Sequence, residues 1–158
     1  KKGLKESNIF FTMPGADLEN SIIEKEIKYF IKKKKNAYFY KSLGQTNYYS
    51  FLNQMDAMIG NSSSGILEAP LLKTFSINIG NRQKGREKAK SIIDCKNDKR
   101  SIVKAIKNTL CNKKRYNKKV YFSSPYKIKK NPSLYILKIL KKIQLRNIVK
   151  KKFRIINY

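Results

Sequence analysis

The sequence predicts an α/β domain, a parallel sheet with helices on both faces, and three observations carry that expectation. Apolar runs of four to six residues, the length of buried strands, recur at 8–13, 37–40, 56–59, 74–79 and 91–95. Stretches with apolar residues at helical spacing alternate with them. Small polar turn residues stand where one kind of segment gives way to the other. Strands that alternate with helices pair in parallel, because each crossover returns the chain to the same end of the sheet.

Taken in order, residues 8–13 form the first strand. Residues 20–35 set Ile22, Ile23, Ile27, Tyr29, Phe30 and Ile31 among Glu and Lys, the pattern of an amphipathic helix that Asn20 or Ser21 can cap. Residues 37–40 are the second strand, and 47–55 a short helix whose Tyr48, Phe51 and Leu52 are expected in the core. A strand at 56–59, a helix over 65–72 and strands at 74–79 and 91–95 follow. Asp98 or Ser101 starts a helix over 98–110 that closes the sheet, with Ile102, Val103, Ile106 and Leu110 at helical spacing. Residues 112–130 are a polar, basic and aromatic connection. Asn131-Pro132-Ser133 signals the start of an amphipathic helix over 134–145, and 146–158 is a basic tail, helical or loose. No internal repeat is evident.

The most informative stretch is Ile59-Gly60-Asn61-Ser62-Ser63-Ser64-Gly65-Ile66-Leu67-Glu68, a strand edge, a turn of small residues and a helix start. Small side chains let an anion approach the backbone, the serine hydroxyls add donors, and the first N–H groups of a helix lie unpaired at the positive end of its dipole. A diphosphate fits such a turn without a metal. Glu68 follows Ser64 by one helical turn, near the mouth, where a carboxylate can accept both hydroxyls of a ribose. The alternative is a serine-rich turn that only caps a helix. The next strand leads at once into Gly80-Asn81-Arg82-Gln83-Lys84-Gly85-Arg86. Two loops leaving the same end of adjacent parallel strands define the edge where ligands bind, so Arg82 and Arg86 can reach what the serine turn holds. Arginines in such a loop also occur simply solvated.

Together, the segments 59–70 and 77–86 resemble, in order and spacing, the hydrolysing UDP-N-acetylglucosamine 2-epimerases that open sialic and related nonulosonic acid pathways. The resemblance runs over roughly residues 8–135. Thr12-Met13-Pro14-Gly15-Ala16-Asp17 is similar to a strand-end element of that family, Ser42-Leu43-Gly44-Gln45 to its next strand-end loop, and Ser91-Ile92-Ile93-Asp94-Cys95 to the strand after the arginine loop. It implies a Rossmann-like fold, the second domain of a glycosyltransferase-B-type architecture. It also implies that Ser62 and Ser63 bind the UDP phosphates, that Glu68 binds the ribose, that backbone groups around Leu43 receive the uracil, and that Arg82 lies against the nucleotide or the cleft. Gly15 stands where the family usually has Asn, which puts one nucleotide contact in question. Phe75 stands where it usually has Pro, which touches only a turn.

The implied reaction eliminates UDP to give a glucal and then adds water to release N-acetylmannosamine, with no metal and no redox cofactor. The acid and base come from carboxylates of the family's N-terminal domain, and a His near the start of the second domain contacts the phosphates. This chain contains no His. The expectation is therefore half an enzyme with no catalytic residue of its own: a truncated product, a fragment, or a separately encoded subunit. Its expected divisions are a UDP-binding core over 1–112, a connection and closing helix over 113–145, and the tail over 146–158. Expected partners are a UDP-sugar and a separately encoded N-terminal half or further copies of the chain.

The net charge of +27 and pI near 10.2 raise a rival, a polyanion or nucleic-acid binder. Of 37 basic residues, 20 lie in 99–158 with no acid among them; the remaining 17 face all 10 acids upstream, so the first 98 residues carry +7. Lys113-Lys114-Arg115 and Lys150-Lys151-Lys152, with Tyr116, Tyr121, Tyr126 and Phe153 nearby, suit phosphate backbones or an anionic membrane face. Lys, Asn, Ile and Tyr are abundant throughout, however, which points to a general compositional bias and solvated faces, and no specific nucleic-acid partner is expected. Cys95 and Cys111 lack the spacing of a thiol redox motif and the partners of a zinc site, and are expected as small buried hydrophobes. No signal pattern or membrane-length apolar run occurs, so a cytoplasmic protein is expected. A UDP-sugar glycosyltransferase donor domain would use the same pocket, and a noncatalytic polyanion-binding module is the third alternative.

Overall fold

Strand β1 (Ile9–Thr12) pairs in parallel with β2 (Ala37–Tyr40), with Ile9 beside Ala37 and Thr12 beside Tyr40. A second parallel ladder runs β3 (Ala57–Gly60), β4 (Phe75–Ile79), β5 (Ile92–Cys95). The structure is a computed structural model that describes residues 7–13, 15, 20–112, 122–127 and 131–143. It resolves into two compact units, Lys1–Pro125 and Tyr126–Tyr158. The expected basic tail lies outside the described residues. So do 113–121 and 128–130 of the expected connection, and Pro14, Ala16 and Asp17 of the strand-end element.

The expected parallel α/β architecture is present, as two ladders rather than one continuous sheet. In the second ladder Phe75, Ser76, Ile77 and Asn78 of the central strand are all buried, so both faces of β4 are covered. On one face the Phe75 ring meets Phe122 edge-on at 4.9 Å, and on the other Ser76 lies against Gly65. Ile66, Ala89 and Ile92 form a buried apolar cluster. Register places Gly60 beside Asn78 and Ile79 beside Cys95, which brings the C-terminal ends of β3, β4 and β5 to one edge. The serine turn and the arginine loop both leave from that edge.

Helix α1 (Asn20–Lys32) packs against β2 and sends Phe30 edge-on to Phe11 at 5.7 Å. It ends three residues earlier than expected. Ile22, Ile23 and Tyr29 are exposed, so its apolar stripe is only partly covered. Helix α2 (Gly44–Leu52) starts three residues before the expected position, because Gly44 takes φ +65° and turns the chain directly into the helix. It links the two ladders. Phe51 meets Phe10 of β1 at 4.8 Å, and the Leu52 carbonyl accepts the Thr74 hydroxyl at 2.7 Å just before β4.

Helix α3 (Ser64–Leu67) is a single turn, not the helix over 65–72 that composition suggests. Pro70 has no N–H to extend the ladder and disfavours helical geometry at Ala69. The chain instead turns through Lys73, at φ +60°, with Thr74 donating to the Ala69 carbonyl at 2.9 Å. Helix α4 (Lys99–Asn112) packs on β4 and β5, capped by Asp98, whose carboxylate accepts the Ser101 N–H at 2.9 Å. Cys111, expected to be buried, is exposed near its end, whereas Cys95 is partly buried.

In the second unit, α5 (Pro132–Lys142) begins at the expected signal: the Asn131 side chain accepts the Ser133 N–H at 3.0 Å, with Pro132 in the first turn. It ends at Lys142, where Ile143 is extended, and 144–145 of the expected helix lie outside the described residues. Leu134, Ile136, Leu137 and Leu140 on it are exposed. No helix among the described residues is long and apolar enough to cross a membrane.

Candidate functional site

The serine turn is held by its own backbone. Gly65 donates to the Ser62 carbonyl at 3.2 Å, Ile66 and Leu67 to that of Ser63 at 2.9 Å, and the Ser64 N–H to the Ser62 hydroxyl at 3.3 Å. The N–H groups of Ser64 and Gly65, expected free to meet an anion, are thus engaged inside the turn. One helical turn also carries too few aligned peptides for a strong dipole. The turn therefore offers hydroxyls rather than free helix-terminal N–H groups. Gly65 itself faces the sheet, where a Cβ would stand 2.5 Å from Ser76 Oγ, so its small size serves packing rather than ligand approach.

A cavity of about 310 Å³ opens at the C-terminal ends of the first two strands, against this turn. Thr12, Ser42 and Leu43 line it from the strand ends, Gly44, Gln45, Tyr48 and Tyr49 from α2, and Ser64 and Glu68 from the serine turn and the segment after it. Leu43 and Glu68, expected together from sequence, do share it. Ser62 and Ser63 are exposed on the same turn but do not line it; the lining serine is Ser64. Arg82 is exposed on the neighbouring loop and does not line it either. The lining carries five hydroxyls, one side-chain amide and a single carboxylate, Glu68, with no cation, a set suited to a polyhydroxylated ligand.

Tyr48 is the main residue that sequence reasoning missed. Instead of joining the core, its half-buried phenol points from α2 to Ser64 Oγ at 2.6 Å, with Met58 Sδ at 3.7 Å. Burial pushes the phenol above the ordinary tyrosine range; the bond to Ser64 pulls it down and the Glu68 charge lifts it further, leaving a net rise. Tyr48 is therefore protonated at neutral pH, and either hydroxyl of the pair can donate. Gln45 Nε2 donates to the Tyr49 hydroxyl at 3.3 Å, one helical turn away on the same wall.

The second loop is tied to the first by Gln83, a buried residue whose Nε2 donates to the Asn61 carbonyl at 2.8 Å. Its flanking arginines drew attention in the sequence, yet the neutral amide joins the loops. Behind it, Asn78 Nδ2 donates to Asp94 Oδ1 at 2.7 Å, and Lys88 Nζ reaches both Asp94 oxygens at 2.8 Å. Burial raises the Asp94 carboxyl, but the bonds from Lys88 and Asn78 outweigh it and hold the group below its usual range. Burial, with Asp94 and Asp98 nearby, pushes the Cys95 thiol up, away from nucleophilic chemistry.

The family described as UDP-N-acetylglucosamine 2-epimerase matches residues 1–141. The "Polysialic acid biosynthesis protein P7" of Escherichia coli is 37% identical over 134 residues, 85% of this chain and 34% of that protein. The "GDP/UDP-N,N'-diacetylbacillosamine 2-epimerase (hydrolyzing)" of Campylobacter jejuni is 46% identical over 93 residues, 58% of this chain and 24% of that protein. The "UDP-N-acetylglucosamine 2-epimerase" of Neisseria meningitidis is 35% identical over 104 residues, 65% and 27% of the respective chains. The chain thus spans about a quarter to a third of the length of these curated relatives. With a family match over most of its length, the chain belongs to the UDP-N-acetylglucosamine 2-epimerase family.

Proposed function

We propose that this chain is the UDP-binding half of a hydrolysing UDP-N-acetylglucosamine 2-epimerase, acting on that sugar nucleotide or on a 2,4-diacetamido analogue. The observation that carries the reading is the cavity shared by Leu43 and Glu68, beside the serine turn. In this reading Glu68 accepts the ribose hydroxyls, Ser62 and Ser63 donate to the phosphates, the backbone at Leu43 meets the uracil, and Arg82 approaches from the adjoining loop. Elimination of UDP builds negative charge on the departing diphosphate. Hydroxyl donors and a guanidinium directed at it stabilise that charge. Proton removal at C2 and the addition of water need a base and an acid, and the reading assigns both to the part of the relatives that this chain does not cover. That part is a separately encoded N-terminal half or a region of a longer chain. A nucleotide-sugar substrate sets the reaction in the cytoplasm.

Calorimetric titration of the chain with UDP, CMP and a short DNA duplex at moderate salt tests the proposal. Saturable binding selective for UDP, lost in Ser63→Ala with Glu68→Ala, is the expected result. Glu68→Ala alone is expected to weaken UDP about tenfold while sparing inorganic diphosphate, since it removes only the ribose acceptor. Salt-sensitive binding to all three ligands alike would refute the reading and leave a polyanion-binding module.

A further inference from the structure

We infer that Tyr48 is a positioning residue for the diphosphate, acting by donating to Ser64 Oγ and so turning the serine's own proton toward the anion. The inference rests on the UDP-binding reading and deepens it, because neither Tyr48 nor Ser64 has a part in the assignments above. The two hydroxyls lie 2.6 Å apart across the wall of the cavity, and both residues line it. A phenol is a far stronger acid than an alkyl alcohol, so in a pair of this kind it takes the donor role. Its other neighbour, Met58 Sδ at 3.7 Å, is a weak acceptor and does not compete. Once Ser64 Oγ accepts the phenol proton, the serine hydrogen is free to point into the cavity. There it faces a region whose single carboxylate, Glu68, is engaged with the sugar in this reading.

The arrangement is rigid at both ends. Tyr48 sits one turn before Phe51 and Leu52, which anchor α2 to the two ladders, so its hydroxyl has little freedom to swing away. The Ser64 N–H donates to the Ser62 hydroxyl at 3.3 Å, so the tyrosine also steadies the turn that carries Ser62 and Ser63. Elevation of the phenol above its ordinary range keeps the donor protonated throughout the neutral region.

Tyr48→Phe removes the hydroxyl and little else. The test is a calorimetric cycle on the full chain, with Tyr48→Phe, Ser64→Ala and the double variant titrated against UDP and against uridine, each checked for an unchanged urea midpoint. Tyr48→Phe is expected to weaken UDP about five- to tenfold while leaving uridine within about twofold, because only the diphosphate meets the oriented serine proton. The double variant is expected to match Ser64→Ala, since the tyrosine acts through the serine. Equal losses for UDP and uridine would overturn the inference by reducing Tyr48 to a packing residue, and independent, additive losses would overturn it as well. In both cases wild-type UDP binding survives and the reading of the site stands. Absence of saturable UDP binding by the wild-type chain would instead overturn both.

Discussion

Replacing Gly65 by alanine introduces a methyl group at the point where α3 meets the central strand. The new Cβ would stand 2.5 Å from Ser76 Oγ, 3.6 Å from Ser76 Cβ and 3.8 Å from Met58 Sδ. Only the first is a clash, about 1 Å inside ordinary contact. Ser76 is 2% exposed, so its hydroxyl has little room to rotate away. Overpacking of this kind costs about 1–3 kcal/mol, and the better helix propensity of alanine returns less than about 1 kcal/mol in a helix this short. A net loss of about 1–2 kcal/mol follows, seen as a fall of about 2–8 °C in thermal midpoint. Ser76→Ala removes the clashing oxygen and leaves Cβ to Cβ at ordinary contact, so Gly65→Ala with Ser76→Ala is expected to recover most of the loss. The assay is paired thermal and urea denaturation of the four proteins, with UDP affinity measured on folded material. An undiminished midpoint in Gly65→Ala, or no rescue by Ser76→Ala, would refute the packing argument. A loss of UDP affinity without a loss of stability would restore the view that Gly65 is small for the sake of the ligand.

Gln83→Ala breaks the link between the two strand-end loops and leaves the Asn61 carbonyl without that donor; it is expected to cost about 1–2 kcal/mol in urea denaturation and to speed limited proteolysis within 80–86. Unchanged cleavage there would show that the loops are held by other contacts. Asp94 is depressed in the folded protein, so its contribution to stability is fully present above its unfolded value of 3.8 and is lost as pH falls through the lower folded value. Asp94→Asn should therefore lower stability at neutral pH and flatten the acid limb of the urea midpoint against pH below about pH 4, modestly because the carboxylate is more than half exposed. An acid limb identical to wild type would remove Asp94 from the account.

Much of this fold was legible because the informative signals are local. The strand runs are short and apolar, Asn131-Pro132-Ser133 carries a cap and a first-turn proline, and Asp98 caps the helix it precedes. The misjudged boundaries have local causes too. Pro70 stops α3 whatever the helical composition around it, and Gly44 opens α2 through a positive φ that carries no capping signature. Sequence order was enough to bring Leu43 and Glu68 to one cavity, but the serine that lines it is Ser64 rather than the expected Ser62 or Ser63. The site was obscure where chemistry depends on side chains meeting across the fold. Tyr48 lies 16 residues from Ser64 and shares its helix with two packing residues, so nothing in its own neighbourhood distinguishes it from them. Gln83 sits among charged residues that attract notice, yet it is the buried one: its Nε2 donates to a carbonyl while its Oε1 lacks a hydrogen-bond partner, a smaller cost than an unpaired buried guanidinium would carry.

The absence of a ladder between β2 and β3 gives the cavity a mechanical character. Leu43 follows the strand of one ladder and Glu68 the turn of the other, and among the described residues α2 carries the contacts that bridge the two. A ligand held at both ends spans a seam in the protein rather than a pocket in a single plate. Its binding energy goes into stitching the plates together, so occupancy should slow amide exchange in β1 and β2 as much as in β3 and β4, far beyond the residues the ligand touches.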